Sequence, residues 1–249
     1  MKGRKISKLF ENIGFRDRMS LIYCLREFES VNFIEITTES TPLVYAIDRG
    51  WIEGVRILIQ AGADVNFSNN PESNPLVSAI QIYSTAILEI LLEAGANVDG
   101  LGFLKTPLIE AIRYENSSCI ARLIEAGADL ERCCESDVDT LTPLGFAIRG
   151  GNSEIVKILL EAGADIHVKP YTDSNQTLLP LAIDRNHLEI AQILIDAGID
   201  LNAIDNGWTA LDLARKRRYE SMVQLLTTAG AVGDRKIEIA PIDPDEIPF

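Results

Sequence analysis

One feature restricts this chain more than any other: the block Thr142–Asp165 returns six times in the same phase. The copies start at Thr41, Asn74, Thr106, Thr142, Thr177 and Thr209, spaced 33, 32, 36, 35 and 32 residues apart. Two residues on, every copy carries leucine: Leu43, Leu76, Leu108, Leu144, Leu179 and Leu211. Five on, every copy carries alanine: Ala46, Ala79, Ala111, Ala147, Ala182 and Ala214. Seventeen on, leucine recurs at Leu58, Leu91, Leu123, Leu159, Leu194 and Leu226. An Ala-Gly pair follows in each copy, from Ala61-Gly62 to Ala229-Gly230. Length varies only between that pair and the next start, which places the insertions in a connecting loop. A unit this short cannot bury its own apolar faces, so the copies must stack on one another.

The local physics of one copy is legible in the fourth. Thr142 suits a helix N-cap, and Pro143 suits the first helical position, where its missing N–H would lack a partner anyway. Leu144, Ala147 and Ile148 then share one helical face. Gly150-Gly151 ends that helix. A second apolar stripe follows at Ile155, Val156, Leu159 and Leu160, and Gly163 closes it with the left-handed residue that helix C-termini favour. The spacing predicts a helical hairpin whose first helix has small residues on its inner face.

These residues resemble the ankyrin repeat family. The Thr-Pro-Leu-x-x-Ala start, the Leu-Leu-x-x-Gly-Ala-Asp end and the 33-residue period extend over roughly residues 41 to 232. The resemblance implies an all-α fold, an ankyrin repeat solenoid of stacked helix-turn-helix units with loop or β-hairpin connections. It also implies a non-enzymatic module that binds protein partners on its concave face and loop tips. One departure is consistent. The family usually places His after Thr-Pro-Leu, whereas this chain has Val44, Val77, Ile109, Gly145, Pro180 and Asp212. The hydrogen bonds that such a histidine makes to neighbouring loops are therefore expected to be missing. The expected division is a degenerate capping repeat over 1–40, six repeats (41–73, 74–105, 106–141, 142–176, 177–208, 209–232) and an acidic, proline-containing tail over 233–249.

Ile6, Leu9, Phe10 and Ile13 lie at helical spacing, and a second apolar run covers Met19 to Phe28. Glu27 to Phe33 aligns with Ala61 to Phe67, so residues 6–32 read as a worn first repeat. Lys2, Arg4, Lys5, Lys8, Arg16 and Arg18 would give it the polar outer face that an end repeat needs. A mobile basic arm is the other reading of the same residues. At the far end, Arg215 and Thr227 replace the apolar residues of earlier copies and put polar atoms where a seventh repeat would stack. In the tail, Ile237, Ile239, Ile242, Ile247 and Phe249 are more apolar than solvation requires. Both a frayed end and a tail docked on the repeats remain open.

A net charge of −14 argues against general binding to nucleic acid or to an anionic membrane. No apolar run approaches the ~20 residues of a membrane span. Charged residues interrupt the stretch that an export signal would need, so the expected address is cytoplasmic and the expected state alone is a monomer. Cys24 and Cys119 sit on apolar helical faces and read as buried thiols. Cys133-Cys134 reads as a pair of exposed thiols, since a metal would need His167 from the next loop and a fourth ligand besides. No phosphate loop or nucleophile elbow is present. His187 stands where ankyrin-like repeats commonly carry histidine, so no enzymatic activity and no cofactor or metal is expected.

The exposed end of each first helix falls seven and eight residues after the start, at Asp48-Arg49, Gln81-Ile82, Arg113-Tyr114, Arg149-Gly150, Asp184-Arg185 and Lys216-Arg217. Five of the six pairs carry a base, which suggests a basic inner row on an acidic protein; scattered surface charges, each of small worth, are the plainer reading. Loop tips add Phe67, Phe103, Tyr171 and Trp208. The expected partner-binding residues are Arg49, Phe103, Arg113, Tyr114, Arg149, Arg185, Trp208 and Arg217. A second functional reading is an inhibitor or immunity-type protein that neutralises a basic enzyme through the acidic surface, with the charge speeding encounter.

Overall fold

The computed structural model describes residues 2–36, 38–67, 74–100, 106–135, 140–167, 177–205 and 207–233. Phe103, Tyr171 and the tail over 234–249 lie outside the described residues, and so does the expectation that the tail docks. Seven helix pairs follow one another: α1 (Lys2–Gly14) with α2 (Arg18–Leu25), α3 (Pro42–Asp48) with α4 (Ile52–Gln60), α5 (Pro75–Gln81) with α6 (Thr85–Glu93), α7 (Pro107–Arg113) with α8 (Ser117–Glu125), α9 (Pro143–Gly150) with α10 (Ser153–Glu161), α11 (Leu178–Asp184) with α12 (Leu188–Asp196), and α13 (Ala210–Arg217) with α14 (Glu220–Thr228). The 36-residue spacing between the third and fourth starts accommodates a short antiparallel hairpin, β1 (Cys134–Glu135) paired to β2 (Thr140–Leu141). The fold is all-α, of ankyrin repeat type.

The chain divides into two compact units, residues 1–146 and 147–249, with the division inside α9. In the first, α1, α3, α5 and α7 pack in succession, as do α2, α4, α6 and α8. In the second, α11 packs on α13, and α10, α12 and α14 pack in succession. The recurring residues form the core of each unit: the second-helix leucines Leu58, Leu91, Leu123, Leu159, Leu194 and Leu226 are fully buried, as are the small residues Ala46, Ala79, Ala111, Ala182 and Ala214. Alanine at that point lets neighbouring helices approach closely, and leucine fills the space between pairs. The six positions where the family's histidine is absent are all buried.

Both ends of the helices close as local physics requires. The hydroxyl or amide oxygen of Thr41, Asn74, Thr106, Thr142 and Thr209 accepts the N–H of the residue three on, at 2.9 to 3.2 Å. Thr177 makes no such bond. The residue three on is Pro180, which has no N–H to donate. The backbone N–H of Thr177 donates instead to Asp205 Oδ2 at 2.9 Å. After each second helix the glycine of the Ala-Gly pair takes φ +85 to +95°. The next N–H then reaches back to the carbonyl of the recurring leucine, as in Ala63 to Leu58 at 2.9 Å and Ile199 to Leu194 at 3.1 Å.

Within each unit, side chains tie one loop to the next. Asn32 Oδ1 accepts from Asp64 N–H at 2.8 Å, Asn66 from Asn97 at 2.8 Å, and Asp99 from Asp129 at 2.9 Å. In the second unit, Asn202 accepts from Val232 at 2.8 Å. Asn66, Asp99 and Asn202 each sit six residues past the end of their second helix and Asn32 seven, so a side-chain oxygen returns at the same place in these loops. The first pair takes part: α1 packs on α3 and α2 on α4, with Leu9 and Ile13 fully buried.

Candidate protein-binding surface

The turn from first to second helix is set by a residue with positive φ nine residues after each start: Gly50, Tyr83, Glu115, Gly151, Asn186 and Arg218, with Arg16 equivalent in the first pair. This tight turn ends the first helix and presents its last side chains to solvent. Arg49 and Arg185 are exposed residues at the ends of α3 and α11, and Tyr114 is a half-buried one at the end of α7.

In the first unit the Arg49 guanidinium lies 4.8 Å from the centre of the Tyr45 ring and donates to the Tyr45 hydroxyl at 2.6 Å. The Arg16 guanidinium donates to the Arg49 carbonyl. Tyr45 in turn packs on Phe10, with ring centres 5.0 Å apart. From the next copy, the Tyr83 hydroxyl donates to the Tyr114 carbonyl of the copy after it at 3.2 Å, and the two rings meet edge to face at 6.1 Å. Tyr83 remains 59% exposed. Arg113 Nη1 stands 3.3 Å from Glu110 Oε1, a carboxylate only 2% exposed. Arg113 therefore counters a buried charge on its own helix as well as facing solvent.

In the second unit Arg217 donates twice to Asp184 Oδ1, through Nε at 3.0 Å and Nη2 at 2.7 Å. Lys216 Nζ lies 4.4 Å from the centre of the Trp208 ring. Trp208 is half-buried, and its backbone pairs with Asp205 across a tight turn, at 2.8 and 2.9 Å. Arg149 is half-buried in the last turn of α9. Of the residues expected at the surface, the structure thus joins Tyr114 to Tyr83, and both Arg217 and Trp208 to partners within their own unit. Asp205 is buried beside this site. Burial pushes its carboxyl above the usual 3.8, the Thr177 N–H opposes the rise, and Asp184 adds to it.

Sequence reasoning put Arg16 on the outer face of the first pair, away from this rim, and did not single out Tyr45 or Tyr83. Tyr83 falls one residue beyond the pair of positions that the helix-end argument selected. Extending that argument by one residue, to the left-handed position nine after each start, would have brought both Arg16 and Tyr83 to this rim. The second-helix acids are also less free than their number suggests. Arg18 pairs with Glu53 at 3.1 Å, Arg122 with Glu89 and Glu125 at 2.6 and 2.8 Å, and Lys157 with Glu189 at 3.3 Å.

The cysteines divide by burial. Cys24 and Cys119 are buried; burial pushes both thiols up, that of Cys119 to about 11 against the opposing Asn116 hydrogen bond. Cys133, expected to be exposed, is half-buried, with Sγ donating to the Glu131 carbonyl at 3.6 Å. The Cys134 side chain lies outside the described part. Among the described residues no group of three His, Cys, Asp or Glu stands in position to hold a metal ion. No helix among them is long and apolar enough to cross a membrane.

The family model described as ankyrin repeats, in three copies, matches residues 19–101, 99–170 and 169–237. Among solved structures, the ankyrin repeat domain of Bcl-3, described as a unique member of the IkappaB protein family, is similar at 22% identity. That alignment covers 88% of this chain and 97% of that one, with a TM-score of 0.77. The human ASB11 ankyrin repeat domain is similar at 28% identity over 89% of this chain and 96% of that one, with a TM-score of 0.69. No curated protein matches the chain in sequence. Ankyrin repeat domains are in general protein–protein interaction modules, and this chain belongs to the ankyrin repeat family.

Proposed function

We propose that the chain is a non-enzymatic binding module that holds one protein partner on its first-helix ends and loop tips. The observation that carries the reading is the contrast between an invariant scaffold and its variable rim. Every copy repeats the same buried leucine and alanine, while the pair of residues that ends each first helix varies, Asp48-Arg49 and Asp184-Arg185 alone being alike. The rim is rich in Arg and Tyr, the residues that dominate interface energetics. Arg49, Arg113, Tyr114, Arg149, Arg185, Trp208 and Arg217 are the proposed contacts, with Phe103 from the neighbouring loop. Tyr83 joins them because its ring is already held on Tyr114 and loses little freedom on binding.

An inhibitor that neutralises a basic enzyme is the alternative, and the net charge of −14 favours it. Affinity capture with three baits separates the two. A partner lost by Arg49→Glu with Arg185→Glu, and kept by Glu93→Lys with Glu161→Lys, supports the rim. The opposite pattern, with a basic partner released steeply by salt, supports the acidic surface. A partner kept by both variants overturns both readings.

A further inference from the structure

The outward face of the first helix pair has a composition that no other pair shares. In register with the next copy, Lys8 stands where Pro42 stands, Tyr23 where Ile57 stands, and Asn32 where Asn66 stands. Pro42 and Pro75 are buried, Ile57 is half-buried and Ile90 is buried. These are positions at which one pair packs against another. In the first pair the same positions are open: Lys8 is exposed and Tyr23 is 65% exposed, with Met19, one turn earlier on α2, 73% exposed. Met19 replaces the Glu53 and Ala86 of the following pairs.

Charge separates this face from the rest of the molecule. Residues 1–18 carry six bases against Glu11 and Asp17, in a chain whose net charge is −14. Arg4, Lys5 and Lys8 line one wall of a cleft of about 390 Å³ between α1 and α2, with Tyr23 and Cys24 opposite. Glu27, also in the lining, is paired to Lys5 at 3.0 Å. Arg4 and Lys8 have no ion pair among the described residues, so two charges are left for a ligand. A second cleft, of about 580 Å³, shares Lys5 and Glu27 and runs on past Phe28 and Phe33, whose rings stack at 5.6 Å.

We propose that the open face of the α1/α2 pair, with Arg4 and Lys8 on its rim and Met19 and Tyr23 on its apolar floor, docks an acidic amphipathic helix of a protein partner. The occupant is a helix because the face has the register of a helix-stacking surface. It is acidic because the uncompensated rim is basic, and it is amphipathic because Met19 and Tyr23 need apolar cover. An anionic membrane is disfavoured: Glu27 and Glu29 line the adjoining clefts, and a chain with a net charge of −14 is repelled as a whole by negative surfaces. This surface is separate from the first-helix rim and stands or falls independently of the function proposed above.

The test is a titration of the full chain with a labelled helical peptide bearing Leu on one face and Glu on the other, followed by fluorescence anisotropy. A Lys-for-Glu counterpart and phosphatidylserine vesicles are run beside it. The Glu peptide is expected to bind and the Lys peptide not. Arg4→Glu with Lys8→Glu should weaken the Glu peptide roughly tenfold, and added salt should do the same, as expected of rim charges. Tyr23→Asp should abolish binding. Arg4→Gln with Lys8→Gln, a milder pair checked by circular dichroism, serves if charge reversal unfolds the chain. Arg185→Glu, which disables the first-helix rim, should leave the peptide bound. Absence of binding, equal binding of both peptides, or indifference to both double variants overturns the proposal. So does tighter attachment to the vesicles through the same residues, which would make the face a membrane contact.

Discussion

Replacing threonine by valine at two equivalent helix starts should change stability in opposite directions. The side chains have nearly the same shape, so the exchange removes one hydroxyl and adds one methyl group. At Thr106 that hydroxyl is 2% exposed as part of its residue and accepts the Ile109 N–H at 3.2 Å. Valine takes away the acceptor and leaves a buried N–H in the first turn of α7 without a partner. Loss of an N-cap costs about 0.5–2 kcal/mol. At Thr177 the residue three on is Pro180, and the hydroxyl is buried with no hydrogen-bond partner. Valine there removes an unsatisfied polar group whose burial costs about 1 kcal/mol or more. The backbone N–H of residue 177 keeps its bond to Asp205, because that bond does not involve the side chain. Thr106→Val should thus lower stability by roughly 1 kcal/mol and Thr177→Val should raise it by up to about the same amount. Urea unfolding of the full chain, followed by far-UV circular dichroism, reads both as midpoint shifts at unchanged slope. Equal losses at the two sites would refute the reasoning, since they would mean that Thr177 is capping α11 in solution.

Asp205→Asn keeps an oxygen for the Thr177 N–H and removes a buried charge. The folded carboxyl titrates above its ordinary value of 3.8, so ionisation opposes folding. The parent therefore loses stability as pH rises through the window between the two values, and below it that loss is absent. The variant should be the more stable of the two at pH 7, with the difference closing toward pH 3, by thermal melts across that range. Gly54→Ala should be destabilising by about 1–2 kcal/mol, although alanine is the better helix former by ~1 kcal/mol. A methyl group at Gly54 would overlap the ring of Trp51, which folds over it and is itself buried. A gain in melting temperature would show that the Trp51 ring moves aside freely. Cys119, fully buried with its thiol pushed up to about 11, should resist a thiol reagent at pH 8 until the chain unfolds. Rapid labelling of the native protein at that residue would contradict its packing.

The helix pairs and their ends were determined by the sequence itself, because the forces that set them act within a few residues. A threonine oxygen reaches only the N–H three positions on, a proline fits only where no N–H is needed, and glycine closes a helix by its own backbone freedom. Even the exception at Thr177 was written in the chain, as Pro180. The stacking followed too, since six in-phase leucines and alanines leave apolar faces that only a neighbouring copy can cover. Tertiary structure alone decided which rim charges stay available. Arg217 turns to Asp184, 33 residues away, and Tyr83 turns to Tyr114, 31 residues away. Arg113 is drawn to Glu110, whose burial within the unit no local pattern announces. The repeat period brings such residues to the same edge, but long side chains on that edge choose among several partners of similar energy. That choice depends on distances of a few ångströms between helices a whole copy apart, and these exist only once the pairs have packed.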